Sequence, residues 1–334
     1  MDLIELTRTL VNIPSVTGDE GPVGRFLLEY LQNQGWNCRS QTVTGDRINV
    51  LAIRDEPRIL LTTHMDTVPP FFEFRQDEEF MYGRGVSDAK GLIAAMVCAA
   101  DGLLQEGISD VGLLFVVGEE TESDGAWKAR ELGLRCDYII DGEPTDNELV
   151  VGHKGMVYAV LSCDGVTAHS AYPEQGVSAI DKLVFLLGGL QTLEFPSDAT
   201  LGETTINVGL IRGGHAPNVI PDLAEAEILF RTVAESAAYV DILKEWASGR
   251  ANLEIRATSE PQEMASIPGL PTKVVGYGTD VPALRALGRP FLVGPGSILV
   301  AHTAEERVSK AELEAGVRLY KDLVRRLRVE DPGS

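Results

Sequence analysis

An imidazole and a carboxylate stand two residues apart after a short apolar run in the first third of the sequence. The run is Ile59–Leu61, and His64 and Asp66 follow it. Positions i and i+2 of a strand point to the same side, so both side chains are predicted to emerge together. Asp66 could accept a hydrogen bond from one ring nitrogen of His64 and leave the other nitrogen for a metal ion. Taken alone, such a pair is more often two solvated residues at the end of a strand.

Further carboxylates follow the other predicted elements of this half. Glu119 and Glu120 come directly after one predicted strand, Glu143 follows another, and Asp88 opens a helix after a glycine-rich turn. Carboxylates crowded at one edge of a sheet would repel one another unless cations lie between them. Imidazole and carboxylate ligands suit zinc, and hydrolases with two metal ions use this combination. The pattern therefore predicts a site for divalent cations.

Strands and helices alternate through this half of the chain. Predicted strands cover residues 48–53, 59–63, 111–117 and 138–140, with helical patterns between them. This alternation is typical of parallel strands joined by helices. We expect an α/β fold with a mostly parallel sheet and helices on both faces.

The order of elements changes near residue 157. Strands and helices then follow the order β-α-β-β-α-β, which is the split βαβ arrangement of ferredoxin-like domains. An α/β pattern resumes after the Pro- and Gly-containing segment 261–271. We therefore predict a catalytic domain of residues 1–156 and 262–334, interrupted by an inserted α+β domain of residues 157–261.

Composition restricts the partners of this 334-residue chain. The net charge of −21, from 29 Lys+Arg and 50 Asp+Glu, argues against binding to nucleic acid or anionic membranes. We recognise no signal or transit segment at its start and no apolar run of membrane-spanning length. Its four cysteines show no C-x-x-C spacing, so reduced thiols are expected. These features indicate a cytoplasmic protein with neither nucleic-acid nor membrane partners.

Seven short motifs are distributed over nearly the whole chain. They are His64–Pro69, Gly83–Gly91, Gly118–Glu120, Gly142–Thr145, Ala168–Pro173, Asn218–Pro221 and Ala301–Glu306. In sequence and order they resemble the dinuclear zinc metallopeptidases and amidohydrolases. That family includes acetylornithine deacetylases, succinyl-diaminopimelate desuccinylases, aminoacylases and a glutamate carboxypeptidase. One departure is Leu92, where the family usually has a second glycine, and it should tighten helix packing without touching a ligand.

The resemblance implies two divalent metal ions in each subunit, with zinc as the expected ion and cobalt as an alternative. Asp88 would bridge the two ions. His64 and Glu143 would complete one site, and Glu120 and His302 would complete the other.

The resemblance also implies roles outside the metal ligands. Asp66 would orient its histidine neighbour, and Glu119 would act as general base. The chain would form a homodimer through the inserted domain, and His169 would donate to the developing oxyanion in the partner's active site. Asn218 and Arg231 would bind the substrate carboxylate, although a salt bridge at a strand end explains Arg231 almost as well.

The predicted reaction is the metal-dependent hydrolysis of the amide bond in an N-acylated amino acid. Tyr277–Pro282 and Gly294–Ser297 resemble acetylornithine deacetylases more than desuccinylases. A carboxypeptidase or dipeptidase of the same family, or a succinyl-diaminopimelate desuccinylase, remains an alternative.

Two functions of other classes explain the sequence less well than a hydrolase does. A non-catalytic metal-binding protein would have no use for a spare base such as Glu119 beside a ligand. The segment Gly83–Asp88 resembles part of a dinucleotide fingerprint, but the aspartate in place of the third glycine would repel a pyrophosphate. Neither reading explains His302.

Overall fold

The computed structural model describes residues 1–329, which form two compact units. The first unit contains Met1–Val151, Met264–Lys273 and the segment from Thr279 onward, and the second contains Gly152–Glu263 and Val274–Gly278. Residues 330–334, the end of the predicted catalytic domain, lie outside the described residues.

Residues 1–329 contain eight α-helices: α1 (Leu3–Val11), α2 (Gly21–Asn33), α3 (Lys90–Gln105), α4 (Asp124–Ala129), α5 (Ala179–Leu190), α6 (Ser236–Ala247), α7 (Val281–Leu284) and α8 (Lys310–Leu327). The strands of the same residues are β1 (Asn37–Thr44), β2 (Arg47–Ile53), β3 (Ile59–His64), β4 (Arg75–Gln76), β5 (Phe80–Tyr82), β6 (Val111–Val116), β7 (Tyr138–Asp141), β8 (Leu149–His153), β9 (Gly155–Asp164), β10 (Ser197–Asp198), β11 (Gly202–Glu203), β12 (Thr205–Gly213), β13 (Leu223–Thr232), β14 (Asn252–Ser259), β15 (Gln262–Glu263), β16 (Thr272–Val275), β17 (Arg289–Leu292) and β18 (Arg307–Ser309).

The first unit is built on a six-stranded sheet with the order β1-β2-β6-β3-β7-β17. Strands β6, β3, β7 and β17 run parallel, whereas β1 pairs antiparallel with β2, and β2 pairs antiparallel with β6. The sheet is therefore mixed, and the expectation of parallel strands holds for four of the six. Strand β1 was not predicted because its residues are mostly polar and it forms an exposed edge of the sheet.

Alternate residues of the central strands face two different helical layers. Ile59 and Leu61 pack in the core formed with α1, α2, α3 and α8, whereas Leu60 packs in the core formed with α4 and α7. Burial on both faces explains why β3 is a continuous apolar run. Helices therefore cover both faces of the sheet, as the alternation of elements predicts.

The second unit contains a four-stranded sheet in which every neighbouring pair is antiparallel, with the order β12-β13-β9-β14. Together with α5 and α6, these strands follow the β-α-β-β-α-β order along the chain. Every second residue of β13 is buried, so Ala224, Ala226, Ile228 and Phe230 join the core beneath the two helices. The opposite face of β13 carries both charged side chains, such as Glu225 and Glu227, and apolar ones, such as Leu223 and Leu229.

Three smaller sheets complete the described residues: β15-β8-β16, β10-β11 and β18-β5-β4. In the last of these, β4 and β5 form a short antiparallel hairpin, and β18 pairs antiparallel with β5. Within residues 1–329, none of the helices combines the length and apolar character that crossing a membrane requires.

Candidate metal centre

His64 is the last residue of β3, and its ring is held from one side by Asp66. The side chains of His64 and Asp66 are 1% and 0% exposed. Nδ1 of His64 lies 3.0 Å from the backbone carbonyl oxygen of Asp66 and 3.4 Å from its Oδ1. Because both of these atoms accept hydrogen bonds, they favour the tautomer with hydrogen on Nδ1. Nε2 is then the nitrogen that carries the lone pair, and it faces Asp88.

The carboxylate of Asp88 lies between two histidines that are far apart in the sequence. Its Oδ1 lies 2.9 Å from Nε2 of His64, and its Oδ2 lies 3.3 Å from Nε2 of His302. Asp88 precedes helix α3 and is 5% exposed. Each oxygen of one carboxylate therefore faces a different imidazole, which is the arrangement that a bridging ligand needs.

Two overlapping groups of possible ligands share Asp88. The first is His64, Asp88 and Glu143, and the second is Asp88, Glu120 and His302. The ligand atoms within each group lie within 4.8 Å of one another. Nε2 of His302 also lies 3.0 Å from Oε1 of Glu120. The residues expected from the sequence as metal ligands therefore meet in one cluster.

The electrostatic environment of this cluster favours positive charge. Burial, followed by the charges of Glu119 and Asp88, raises the pKa of Glu143 well above its ordinary value. Hydrogen bonds with Asp88 and Glu120 raise the pKa of His302 to about 10. Both groups therefore hold protons that offset the negative charge of the neighbouring carboxylates, and bound cations would offset the same charge. The donor types, the burial and the charge fit two divalent cations.

Glu119 lies beside the cluster without belonging to either group of possible ligands found in residues 1–329. Its backbone N–H donates to Oδ1 of Asp66 at 3.1 Å, and the N–H of Glu120 donates to Oδ2 at 3.1 Å. Burial raises the pKa of the Glu119 carboxyl well above its ordinary value. A carboxyl group next to a metal ligand, with a raised pKa, is suited to accept and return a proton near neutral pH.

The loop that carries Glu119 is fixed by charged residues that the sequence did not reveal. The guanidinium of Arg47 donates to both oxygens of Glu20, at 2.8 and 2.9 Å, and to both oxygens of Asp124, at 2.5 and 3.0 Å. Gly118 has a φ of 81°, and a side chain there would collide with Asp124 and Arg47. Arg47 opens a strand of ordinary composition, so its sequence context carried no signal of this role.

Two further hydrogen-bonding residues were also missed. The hydroxyl of Thr17 donates to Oδ2 of Asp66 at 2.8 Å. Glu306 is buried against the segment that leads to Asp88, and three backbone N–H groups of that segment donate to it. A signal for Glu306 existed, because it closes the motif that begins with Ala301 and His302.

The three remaining predicted residues lie in the second unit. His169 is exposed and forms an isolated β-bridge with Val219, and the N–H of Ser170 donates to the carbonyl oxygen of Asn218 at 3.1 Å. The N–H of Ala171 donates to Nδ1 of His169 at 3.1 Å. In the neutral ring, hydrogen is therefore on Nε2, which can donate it.

Arg231 lies on β13, opposite Met156 of β9 and Thr205 of β12. Its side chain is partly buried, and this burial lowers the pKa of its guanidinium. None of the salt bridges found among residues 1–329 includes Arg231, so the strand-end salt bridge considered from the sequence is not formed there.

Comparison with known proteins places these features in a family. A model of the peptidase family M20/M25/M40 matches residues 60–326. A peptidase M20 domain-containing protein of Schizosaccharomyces pombe is 37% identical over 339 residues, covering 97% of this chain and 84% of that protein. A probable carboxypeptidase of Aspergillus fumigatus is 35% identical over 377 residues, covering 96% of this chain and 86% of that protein.

The fold has counterparts among solved structures. The crystal structure of a tripeptidase from Staphylococcus aureus superposes with a TM-score of 0.79 at 22% identity, covering 97% of this chain and 98% of that one. This structural likeness shows the fold alone, whereas the match to the family model and the sequence identity with the fungal relatives show the family. On that basis, the chain belongs to the peptidase family M20/M25/M40, whose members hydrolyse amide bonds.

Proposed function

We propose that this protein is a metal-dependent peptidase that releases an amino acid with a free carboxylate from a dipeptide or short peptide. The observation that carries the proposal is the Asp88 carboxylate, whose two oxygens face His64 and His302. The relatives named as probable carboxypeptidases support the substrate class. We propose His64, Asp88, Glu120, Glu143 and His302 as the ligands of two divalent cations, with zinc expected and cobalt able to replace it.

Two bound cations would polarise the substrate carbonyl and lower the pKa of a water molecule. Glu119 would accept the proton from that water and pass it to the amine that leaves. Its raised pKa suits both transfers, because the carboxyl must first take up the proton and then release it. Asp66 would keep Glu119 and Glu120 in place through their backbone N–H groups.

We propose that the second unit binds the carboxylate of the departing residue. Arg231 offers a planar pair of donors that is partly desolvated and forms no salt bridge within the described residues, so it is available to an incoming anion. Asn218 would add an amide donor. His169 would donate from Nε2 to the oxygen that gains negative charge during the reaction.

We further propose that two copies of the chain associate through the second unit and that the partner subunit's His169 completes each active site. Apolar side chains are exposed on two elements of this unit. Val184 and Phe185 on α5 are 61% and 77% exposed, and Leu210 and Ile211 on β12 are 48% and 61% exposed. Strand β12 is also an edge strand, whose free backbone groups can pair with a second copy.

Removal of the acyl group from an N-acyl amino acid is a second candidate function. Tyr277–Pro282 and Gly294–Ser297 resemble acetylornithine deacetylases, and they support this alternative. An N-acyl amino acid has the same scissile amide and the same free carboxylate as a dipeptide. The two functions therefore differ only in the group on the other side of the amide.

The deciding experiment is a substrate panel with the metal-loaded protein and a chelator-treated control. The panel contains dipeptides, the same dipeptides with an amidated C-terminus, N-acetyl amino acids including N-acetylornithine, and N-succinyl-diaminopimelate. We expect hydrolysis of dipeptides only when the carboxylate is free, and loss of activity with chelator. Equal cleavage of the amidated dipeptides would contradict carboxylate recognition, and hydrolysis of only the N-acyl substrates would favour the second candidate.

A further inference from the structure

Glu306 is a buried carboxylate that has no part in the roles proposed so far. In the sequence it lies between His302 and β18, and it is 1% exposed. Strand β18 pairs antiparallel with β5, with Arg307 opposite Tyr82. This pairing places Glu306 beside the segment that begins at Gly83 and leads to Asp88.

Four donors of that segment converge on the Glu306 carboxylate. Its Oε1 accepts the backbone N–H groups of Gly85, Ser87 and Asp88, at 2.9, 3.1 and 3.2 Å. Its Oε2 accepts Nη1 of Arg84 at 2.5 Å. An ionised carboxylate only accepts hydrogen bonds and has two oxygens with about four lone-pair positions, so it can bind all four donors at once.

The charge of Glu306 is balanced by a protein side chain. Arg84 is 2% exposed, its Nε donates to the carbonyl oxygen of Pro70 at 3.3 Å, and its guanidinium lies 4.7 Å from the centroid of the Phe72 ring. Within residues 1–329, Glu306 is in neither group of possible metal ligands. The Glu306 carboxylate therefore binds backbone N–H groups, and the guanidinium of Arg84 is its counter-ion.

We propose that Glu306 is a positioning residue for the bridging ligand Asp88. By holding the N–H of Asp88 and the turn before it, Glu306 keeps one oxygen of that carboxylate toward His64 and the other toward His302. Glu306 also belongs to the segment that contains His302, so it connects the parts of the chain that supply two of the three members of the second group, Asp88 and His302. The proposal rests on the metal-dependent function argued above.

The test is a titration of the metal-stripped protein with cobalt, followed by visible absorption. Residues that hold metal ligands in place typically change metal affinity by about 10- to 100-fold when they are replaced. We expect Glu306→Ala to weaken cobalt binding by at least about tenfold and to change the absorption spectrum. The control is Leu27→Ala, which removes a fully buried core side chain of α2. It should lower the melting temperature but keep the cobalt affinity and spectrum of the wild type.

A second variant distinguishes the hydrogen bonds from the backbone to Glu306 from its ion pair with Arg84. In Glu306→Gln combined with Arg84→Met, the amide oxygen can still accept the three N–H groups, and the guanidinium that would lose its partner is removed. We expect cobalt affinity close to that of the wild type. If Glu306→Ala does not fold, the cobalt affinity of this double variant still tests the proposal.

Two results would overturn the proposal. One is wild-type cobalt affinity and spectrum in Glu306→Ala, and the other is weak cobalt binding in a folded double variant. A metal-stripped wild type that binds no cobalt would instead overturn the proposed function, so the two failures are distinguishable.

Discussion

Asp66 holds the backbone of Glu119 through a hydrogen bond of 3.1 Å from the Glu119 N–H to its Oδ1. The other oxygen of Asp66 accepts the N–H of Glu120 at the same distance and the hydroxyl of Thr17 at 2.8 Å. The same residue also contacts Nδ1 of His64. One fully buried carboxylate therefore positions both the proposed base and two proposed metal ligands.

Asp66→Asn should weaken cation binding. The amide NH₂ of the asparagine is a donor, so one of the two backbone N–H groups would face a donor instead of an acceptor. We expect the dissociation constant for zinc to rise by about 10- to 100-fold, as is typical when a partner of a metal ligand is replaced. The measurement is a competition titration against a chelator. Thr17→Val, which removes one donor to the same carboxylate, should have a smaller effect, and equal effects would argue against this role of Asp66.

Glu119→Gln should remove catalysis and leave the metal site intact. The amide cannot accept a proton, so turnover should fall by about 10²–10⁴-fold, as expected when a general base is lost. The bound metal, measured by elemental analysis, should not change. Glu122→Gln is the matched control, because Glu122 is an exposed carboxylate on the same loop. Near-normal turnover in Glu119→Gln would remove Glu119 from the reaction.

Asp88→Asn should reduce the stabilisation that zinc gives to the folded protein. A ligand that binds only the folded state stabilises it by about 4 kcal/mol at a thousandfold excess over its dissociation constant. Chelation should therefore lower the melting temperature of the wild type, and zinc should restore it. In Asp88→Asn the shared charge is absent, so the shift with zinc should be much smaller. Equal shifts in both proteins would exclude Asp88 from the metal site.

Mixing two inactive variants should restore part of the activity if the partner subunit's His169 completes each active site. In a hybrid dimer of a Glu119→Gln chain and a His169→Ala chain, one site would have both an intact Glu119 and an intact His169. The measurement is turnover after subunit exchange, with hybrid formation followed by differently tagged chains. Hybrids that form but remain inactive would contradict the shared site.

Replacement of Arg47 should destabilise the first unit strongly. Its guanidinium pairs with Glu20, whose side chain is 0% exposed, and the variant Arg47→Met would leave that buried charge without its counter-ion. Removing one partner of a buried pair costs about 3–5 kcal/mol of unfolding free energy. Arg25→Met is the control: the pair of Arg25 with Asp46 is exposed, and loss of an exposed pair costs at most about 1 kcal/mol. Urea unfolding of both variants checks the difference, and similar losses would contradict the buried character of the Arg47 pair.

The sequence predicted the residues of the cluster better than the residues that support it. His64 and Asp66 follow an apolar strand at a spacing that points both side chains one way, and the motifs around Asp88 and His302 are specific. Residues such as Arg47 act through hydrogen bonds to partners far away in the chain. Such contacts leave no periodicity and no fixed spacing, so no pattern in a single sequence reveals them.

The same distinction applies to the fold. The buried strands β2, β3, β6 and β7 were predicted within a few residues of their observed ends, because burial imposes a strong apolar pattern. Strand β1 is polar and exposed, and the short strands β5 and β18 pair across the chain, so each lacks a pattern of its own. Their positions depend on tertiary contacts that form only in the folded unit.

The contact between Asp88 and Glu306 spans 218 residues of sequence. During synthesis on a ribosome, the segment with His64 and Asp88 would emerge long before the segment with His302 and Glu306. The nascent chain would then carry an incomplete acidic half-site while the whole second unit is being made. Cation capture by the second group of ligands could therefore begin only after that unit has left the ribosome, and a cation bound at that stage would favour the closing of β18 onto β5.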